Sequence, residues 1–276
     1  MKEFIVETAQ RLKEFTDNHY AQASFFWNYL IKNREIRVNG LRINKDVDLS
    51  VGDSVCYYLT TKQKEKVAFY TVYKDENIWV VDKESGVNSE AVFCALSNEQ
   101  ECYFIHRLDR NTKGLLVFAL NERTEKALLA AFRERAVEKV YSALCFGKPK
   151  KQTEYLVAYL KKDAEKGLVS VFDRAVKGAE EIRTEYCVEE EISEEITKLS
   201  ITLHTGKTHQ IRAHLAHIGT PVVGDMKYGD SDLNKKYKVS RQCLVSKYLR
   251  FFMAKEWAYL NDKEFVSRFE AELPKE

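Results

Sequence analysis

A carboxylate set between two arginines, with an unbroken apolar run close behind it, constrains this chain more than any other feature. The stretch reads His106-Arg-Leu-Asp-Arg-Asn-Thr-Lys-Gly-Leu-Leu-Val-Phe-Ala-Leu120. Leu115 to Leu120 carries no polar residue, the pattern of a strand covered on both faces. Gly114 stands before it and permits a turn or a close approach by another backbone. Asp109, flanked by Arg107 and Arg110, is therefore expected on a loop at the mouth of a rigid sheet, a placement suited to chemistry. The plainer alternative is an Asp that caps a turn and pairs with a neighbouring Arg.

The other bounds are loose. The 276 residues suit one large domain or two, and 45% hydrophobic content is enough for a sizeable core. No apolar run approaches the ~20 residues that span a bilayer, and Met1-Lys-Glu-Phe-Ile-Val-Glu lacks an apolar signal core. The expectation is a cytoplasmic protein with no membrane partner. Six scattered cysteines without a close pair argue against a zinc ribbon or a disulfide framework. The net charge of +2 identifies no partner, but its distribution is uneven. Residues 32–45 carry Lys32, Arg34, Arg37, Arg42 and Lys45 against Glu35, whereas residues 180–195 carry eight Glu against Arg183. A phosphate backbone would avoid the second face.

Residues 1–62 read as a small module of their own. Short helices are expected at Arg11 to Phe15 and after a Ser24 cap. Ile36-Arg-Val-Asn-Gly-Leu-Arg-Ile43 predicts a hairpin turning at Asn39-Gly40, and Val51-Gly-Asp-Ser-Val55 a further turn and strand. Leu30-Ile-Lys, Val38-Asn-Gly and Val51-Gly-Asp together resemble the S-four-type RNA-binding domain, first described in a ribosomal small-subunit protein. That family usually places basic residues on its second helix, where this chain has Phe25-Phe-Trp-Asn-Tyr. The polar stretch Thr60 to Lys66 is the expected boundary, and a second domain is expected over residues 63–276.

In that second domain Ile78 to Val81 predicts a buried strand and Asp82 to Gly86 a loop. Glu122 to Arg135 predicts a helix with Ala127, Leu128, Ala131 and Phe132 on one face. Lys139 to Phe146 predicts a strand, and Thr184 to Val188 with Lys198 to Leu203 an antiparallel pair joined by the acidic turn. Thr208 to His217 predicts a helix. The implied class is α+β: a mixed, mainly antiparallel central sheet with flanking helices, plus the small N-terminal α/β module.

Candidate chemistry is narrowed by exclusion. His209, His214 and His217 lack the i, i+4 spacing and acidic partner of zinc-peptidase helices, so no metal is expected. No GxGxxG, GxxxxGK[ST] or GxSxG is present, and His106-Arg-Leu-Asp109 departs from the kinase HRD by an intervening residue. Gly206-Lys207, ahead of a helix N-terminus, suits an anion such as an RNA phosphate. Arg212, one turn in, is either a surface Arg or the partner of a buried carboxylate. One Asp, several cations and an aromatic remain, with no cofactor.

The stretch from His106 to Leu116 resembles the catalytic motif of RluA-type pseudouridine synthases. Lys139-Val-Tyr141-Ser-Ala-Leu144 resembles their tyrosine-bearing strand. His204-Thr-Gly-Lys-Thr-His-Gln-Ile-Arg212, with Gly219-Thr-Pro-Val-Val-Gly-Asp225 and Tyr228-Gly229, resembles their third motif, and Val72 to Lys83 their opening strand pair. The family usually has Ser or Thr where Lys113 stands, Pro rather than Glu84, and Arg more often than Lys207.

The resemblance implies a cofactor-independent isomerase acting on uridines in structured RNA, ribosomal RNA first and transfer RNA as the alternative. Asp109, Tyr141 and Arg212 would be catalytic. Asp109 would act at the ribose, as nucleophile or as base; Arg212 would supply the cation that keeps it charged; and Tyr141 would stack on the uracil. Arg107 would occupy the gap left by a flipped base. Lys207, His209, Lys32, Arg34 and Arg37 would contact substrate. A monomer is the default. The competing expectation is a non-catalytic RNA-binding protein on the same scaffold, with Lys113 and Glu84 as the departures that suggest it.

Overall fold

The computed structural model describes residues 1–66, 68–163 and 167–274. The unit expected over 63–276 thus includes residues 67, 164–166 and 275–276, which lie outside that description.

The first residues form β1 (Lys2–Ile5), β2 (Gln10–Arg11), α1 (Leu12–His19), α2 (Ala21–Phe25), α3 (Trp27–Lys32), β3 (Ile36–Val38), β4 (Leu41–Ile43), β5 (Asp48–Leu49) and β6 (Ser54–Tyr57). Strands β1, β6, β3 and β4 make one antiparallel sheet in that order. The β3–β4 hairpin turns where the sequence predicts. Asn39 and Gly40 both adopt positive φ, 49° and 81°, as a two-residue turn matched to strand twist requires. Phe15, Leu30, Ile36 and Tyr57 are buried together beneath this sheet.

One local expectation is corrected. Ser24 does not cap a helix: it lies inside α2, and its hydroxyl donates to Asp17 Oδ1 at 2.6 Å. A part-buried carboxylate needing donors decides its role. The polar stretch from Thr60 to Lys66 contains α4 (Thr61–Lys64), whose start is closed by a capping box between Thr60 and Gln63.

The larger sheet collects β7 (Phe69–Lys74), β8 (Ile78–Lys83), β9 (Tyr103–Phe104), β10 (Lys113–Ala119), β11 (Val137–Phe146), β12 (Thr153–Asp163), β13 (Leu168–Phe172), β14 (Glu180–Glu191), β15 (Ile196–Leu203), β16 (Leu244–Phe251) and β17 (Glu264–Val266). Its main path runs β13-β12-β14-β15-β11-β16-β10-β8-β7. Among the described residues β10 and β16 are its one parallel pair. The helices are α5 (Ser89–Ser97), α6 (Glu122–Glu134), α7 (Gln210–His217) and α8 (Ser231–Lys236).

The apolar run of β10 follows from coverage on both sides. Leu116 and Phe118 pack with Val92 and Leu96 of α5 and Leu215 of α7. Leu115 and Val117 point the other way, toward Leu128 and Ala131 of α6. At Gly114, with φ +111°, a Cβ would lie 2.3 Å from the Ser246 carbonyl, so only glycine lets β10 close on β16. Across β16, Ser246 pairs with Tyr141 of β11, and the register shifts between Val140 and Tyr141. Such a bulge re-aims side chains beside it.

The loop expected over Asp82 to Gly86 starts later. Asp82 and Lys83 belong to β8 and are buried, Asp82 accepting from Ser267 Oγ and the Arg268 N–H at 2.7 Å each. The expected antiparallel pair at 184–203 is present as β14 and β15. Strands β12, β13 and β16 answer to no sequence expectation. In β12 exposed Tyr155 and Val157 alternate with buried Leu156 and Ala158, so apolar residues on both faces hide the two-residue period.

Candidate active site

A cleft of about 820 Å³ opens where the loop before β10, the middle of β11 and the start of α7 converge. That volume accommodates a nucleoside-sized group. Asp109, Tyr141, Arg212, Arg107, Lys207 and His209 all line it. Lys32, Arg34 and Arg37 do not: Lys32 ends α3, Arg34 lies in the loop that follows, and Arg37 is on β3 of the N-terminal sheet.

The centre of the cleft is one guanidinium shared by two carboxylates. Arg212 donates through Nε to Asp225 Oδ2 at 2.6 Å and through Nη2 to Asp225 Oδ1 at 2.9 Å. Its remaining arm, Nη1, donates to Asp109 Oδ2 at 2.7 Å. The bidentate grip fixes the plane of the fork. The Tyr228 ring lies 5.2 Å from the guanidinium carbon and covers it. Burial works against the Arg212 charge, but its hydrogen bonds and attraction to Asp225 and Asp109 outweigh it, and its pKa ends above the ordinary value. Burial likewise penalises Asp225, yet Arg212 and the N–H groups of Lys227 and Tyr228 hold its carboxyl below the usual range. Asp109 differs from Asp225. Its side chain keeps 24% exposure, and Oδ1 has no hydrogen-bond partner among the described residues. One oxygen is held and the other faces the cleft.

The loop that carries Asp109 is pinned on both sides. Ser89 of α5 holds Leu108 twice: its Oγ accepts from the Leu108 N–H at 2.9 Å and donates to the Leu108 carbonyl at 3.0 Å. The Arg110 carbonyl accepts from the Gly86 N–H at 2.8 Å and from Lys83 Nζ at 3.2 Å. Lys83 is wholly buried and also donates to the carbonyls of Glu84 and Val87. Burial pushes its pKa down to about 7, against the pull of Asp109. The carbonyl of Asp109 itself accepts from the Thr112 N–H at 3.0 Å. The alternative of Asp109 pairing with an adjacent Arg is not what the structure shows. Arg107 turns outward, 67% exposed, to Glu90 at 3.0 Å, and Arg110 turns toward the N-terminal helices.

Tyr141 is buried beside this carboxylate. Burial, with Asp109 adding to it and Ser246 opposing, pushes its phenol up to about 12. The phenol therefore stays protonated through the neutral range, and any base role must pass its own proton on in the same step. His106, at the head of the motif, has a structural task. Its Nε2 accepts from the Val117 N–H at 3.1 Å while Phe132 stacks on the ring at 4.7 Å. Burial, helped by Lys139, drives its pKa down to about 3.

At α7 the outcome differs from the sequence expectation. The helix begins at Gln210, because His209 adopts a left-handed φ of 55°. Gln210 Oε1 takes the Lys207 N–H at 3.1 Å, and the Lys207 ammonium pairs with Glu180. The N–H and the ammonium of Lys207 are thus engaged within the chain, while Gly206 and Lys207 line the cleft. His209 Nδ1 meets the Tyr228 hydroxyl at 2.8 Å, and burial lowers its pKa. His214 and His217 go elsewhere, to Thr184 at 3.0 Å and Asp173 at 2.7 Å. No group of metal-ligating side chains converges among the described residues.

Asp225, Tyr228, Ser89 and Lys83 are site residues that sequence reasoning did not assign roles. Asp225 and Tyr228 lay within the third motif, which was their signal. Ser89 had none. Lys113 and Glu84, the departures from the family pattern, line a second cavity of about 350 Å³ with Glu270, and the Lys113 ammonium sits 4.9 Å from the Phe269 ring centroid. Neither lines the cleft.

Residues 68–217 match the family described as RNA pseudouridylate synthase. "Ribosomal large subunit pseudouridine synthase C" of Buchnera aphidicola subsp. Schizaphis graminum is 28% identical, over 80% of this chain and 79% of its own length. An "uncharacterized RNA pseudouridine synthase" of Aquifex aeolicus is 32% identical, over 82% of this chain and 79% of its own. Among solved structures, human RNA pseudouridylate synthase domain containing 1 superposes with a TM-score of 0.58 at 26% identity, covering 68% of this chain and 80% of that one. The matched segment spans more than half of the chain and carries Asp109, Tyr141 and Arg212 in one cleft, and the chain belongs to the RNA pseudouridylate synthase family.

Proposed function

We propose that Asp109, Tyr141 and Arg212 convert uridine to pseudouridine in RNA, with Asp109 acting at the ribose. The observation that carries this reading is the shared guanidinium: Asp225 fixes Arg212, and Arg212 holds one oxygen of Asp109 while the other stays accessible. In the reaction the bond from the anomeric carbon to N1 of uracil breaks. The base turns within the cleft, and a bond forms from the same carbon to C5. The proton leaves C5 and a proton arrives at N1, so no cofactor or second substrate is consumed. Asp109 either attacks the anomeric carbon or removes the neighbouring ribose proton; both routes need a charged carboxylate with a free oxygen. Tyr141, on β11, lines the cleft in which the base would sit, and its phenol is the candidate to relay the C5 proton. A uridine in a stem reaches such a cleft only when flipped out. Arg107, exposed at the rim, suits the space left behind.

The relatives named for the ribosomal large subunit favour ribosomal RNA as the substrate, with transfer RNA as the alternative. Residues 1–62 form an S-four-type module in this reading, and Lys32, Arg34 and Arg37 are its phosphate contacts. Lys207 and His209 contribute at the cleft. The protein works in the cytoplasm as a monomer.

The test is site-mapped pseudouridine in total RNA from cells lacking the protein, complemented by wild type or Asp109→Asn. One uridine should lose its modification and regain it with wild type alone. Equal restoration by Asp109→Asn would remove the carboxylate from the mechanism.

A further inference from the structure

Arg110, next in the chain to the proposed catalytic carboxylate, sends its side chain away from the cleft centre and into the N-terminal helices. Nη1 donates to Asp17 Oδ2 of α1 at 2.9 Å. Nη2 donates to the carbonyl and the hydroxyl of Ser24 in α2, 3.2 Å each. Nε donates to the Gly86 carbonyl at 3.2 Å, and the Gly86 N–H returns a bond to the Arg110 carbonyl. Asp17 is itself held by Ser24 Oγ at 2.6 Å and by the Lys13 ammonium, with its side chain only 13% exposed. Every polar arm of Arg110 is thus engaged, and two of three reach a sheet-and-helix unit distant in sequence.

The same helices touch the other anchor of the loop. Asn88 Nδ2 donates to Asn18 Oδ1 of α1 at 3.0 Å, and Asn88 directly precedes Ser89, which holds Leu108. Ala21 is buried in the main core of the large sheet, and Phe25 packs against that core beside Gly86. This accounts for the aromatic Phe25 where basic residues were the family expectation: that position covers the catalytic loop's support. The residues on both sides of Asp109 are therefore braced, directly or through one neighbour, by α1 and α2.

We propose that Asp17 and Ser24 are positioning residues for the isomerisation, holding Asp109 against Arg212 by clamping Arg110; the proposal rests on the role given to Asp109 above. Placement is worth much at a reacting carboxylate, since a misplacement of about 1 Å costs about 10²-fold in rate. In this view the N-terminal unit completes the catalytic loop as well as contributing to RNA affinity.

Single-turnover pseudouridine formation, with full-length enzyme in excess over deproteinised total RNA from cells lacking the protein, separates the two contributions. The maximal rate reads the loop, and the half-saturating concentration reads RNA binding. Asp17→Asn and Ser24→Ala are expected to lower the maximal rate by about 10-fold or more, with less than a twofold change in half-saturation. Asp17→Glu, which keeps the charge, should recover part of that rate. Thermal melts, taken alongside, establish that each variant is folded at the assay temperature; Ser24→Ala removes only a hydroxyl and serves if Asp17→Asn does not fold. Maximal rates within twofold of wild type overturn the positioning role and leave the reaction assignment standing. A wild type that forms no pseudouridine in any RNA overturns the reaction, and the role with it.

Discussion

Two groups of cations in this protein have opposite surroundings. Arg212 is 8% exposed and braced by two carboxylates and an aromatic ring. Lys32 and Arg34 are exposed and have no ion pair among the described residues, and Arg37 rests 5.0 Å over the Tyr58 ring. A buried cation with all its arms engaged cannot search for a ligand; it fixes the geometry and charge of its neighbours. Exposed, unpaired cations impose no geometry, but they can exchange their counterions for a polyanion. On the proposed function, the contrast gives chemistry to the first group and affinity to the second.

Removing Asp225 should break the first side most severely. Asp225→Ala leaves a buried guanidinium with one partner, a change that costs about 3–5 kcal/mol. Chemical unfolding should show that loss, and single-turnover rates should fall about 10²-fold as the fork loses its orientation. Activity within twofold of wild type would mean that Asp109 needs no fixed cation.

Acid should sharpen the contrast next, because the buried side titrates. His214 sits on α7 with Arg212, and its Nδ1 meets the Thr184 hydroxyl, which already accepts from Gln210. Burial, with His217 nearby, lowers its pKa from 6.5 to about 4. A depressed folded-state value means that the unfolded chain binds the proton first as pH falls below 6.5. The stability is present above that point and is lost toward the folded value, by about 2 kcal/mol at pH 5. Urea unfolding at pH 7 and pH 5 should show that loss diminished in His214→Gln; equal losses in both proteins would place the acid sensitivity elsewhere.

The exposed side should give the smallest effect. Replacing Lys32, Arg34 and Arg37 together with Ala should weaken RNA binding about 10-fold at low salt. It should also flatten the dependence of log Kd on log salt by about 2, for three contacts at roughly 0.7–0.9 each. A wild-type slope in the triple variant would take this face out of RNA binding.

The sequence was legible where a local pattern reported a local cause. The run from Leu115 to Leu120 announced a strand buried on both faces, and Glu122 to Glu134 showed its apolar stripe. Asn39-Gly40 specified its turn, and the motifs placed Asp109, Tyr141 and Arg212 in one cleft. It was illegible where apolar residues face both ways, as in β12, and where a polar residue answers to a distant partner. Ser24 read as a helix cap because hydroxyls often are; the demand of Asp17 and Arg110 decided otherwise. Lys207 read as a free cation because Glu180, a strand away, cannot be seen from the motif.

By itself, then, the sequence determined the elements with a clean local pattern, such as β10, α6 and the β3–β4 hairpin, and marked the carboxylate, phenol and guanidinium that meet in the cleft. Periodicity and motif spacing depend on neighbours along the chain, and those are written in order. Only the tertiary structure decided that Asp225 aims Arg212, that Ser89 and Lys83 hold the loop, and that Asp17, 93 residues before Arg110 in the chain, reaches it. Those assignments depend on which buried polar groups meet. A buried donor or acceptor must find a partner wherever the fold brings one, regardless of its distance along the chain.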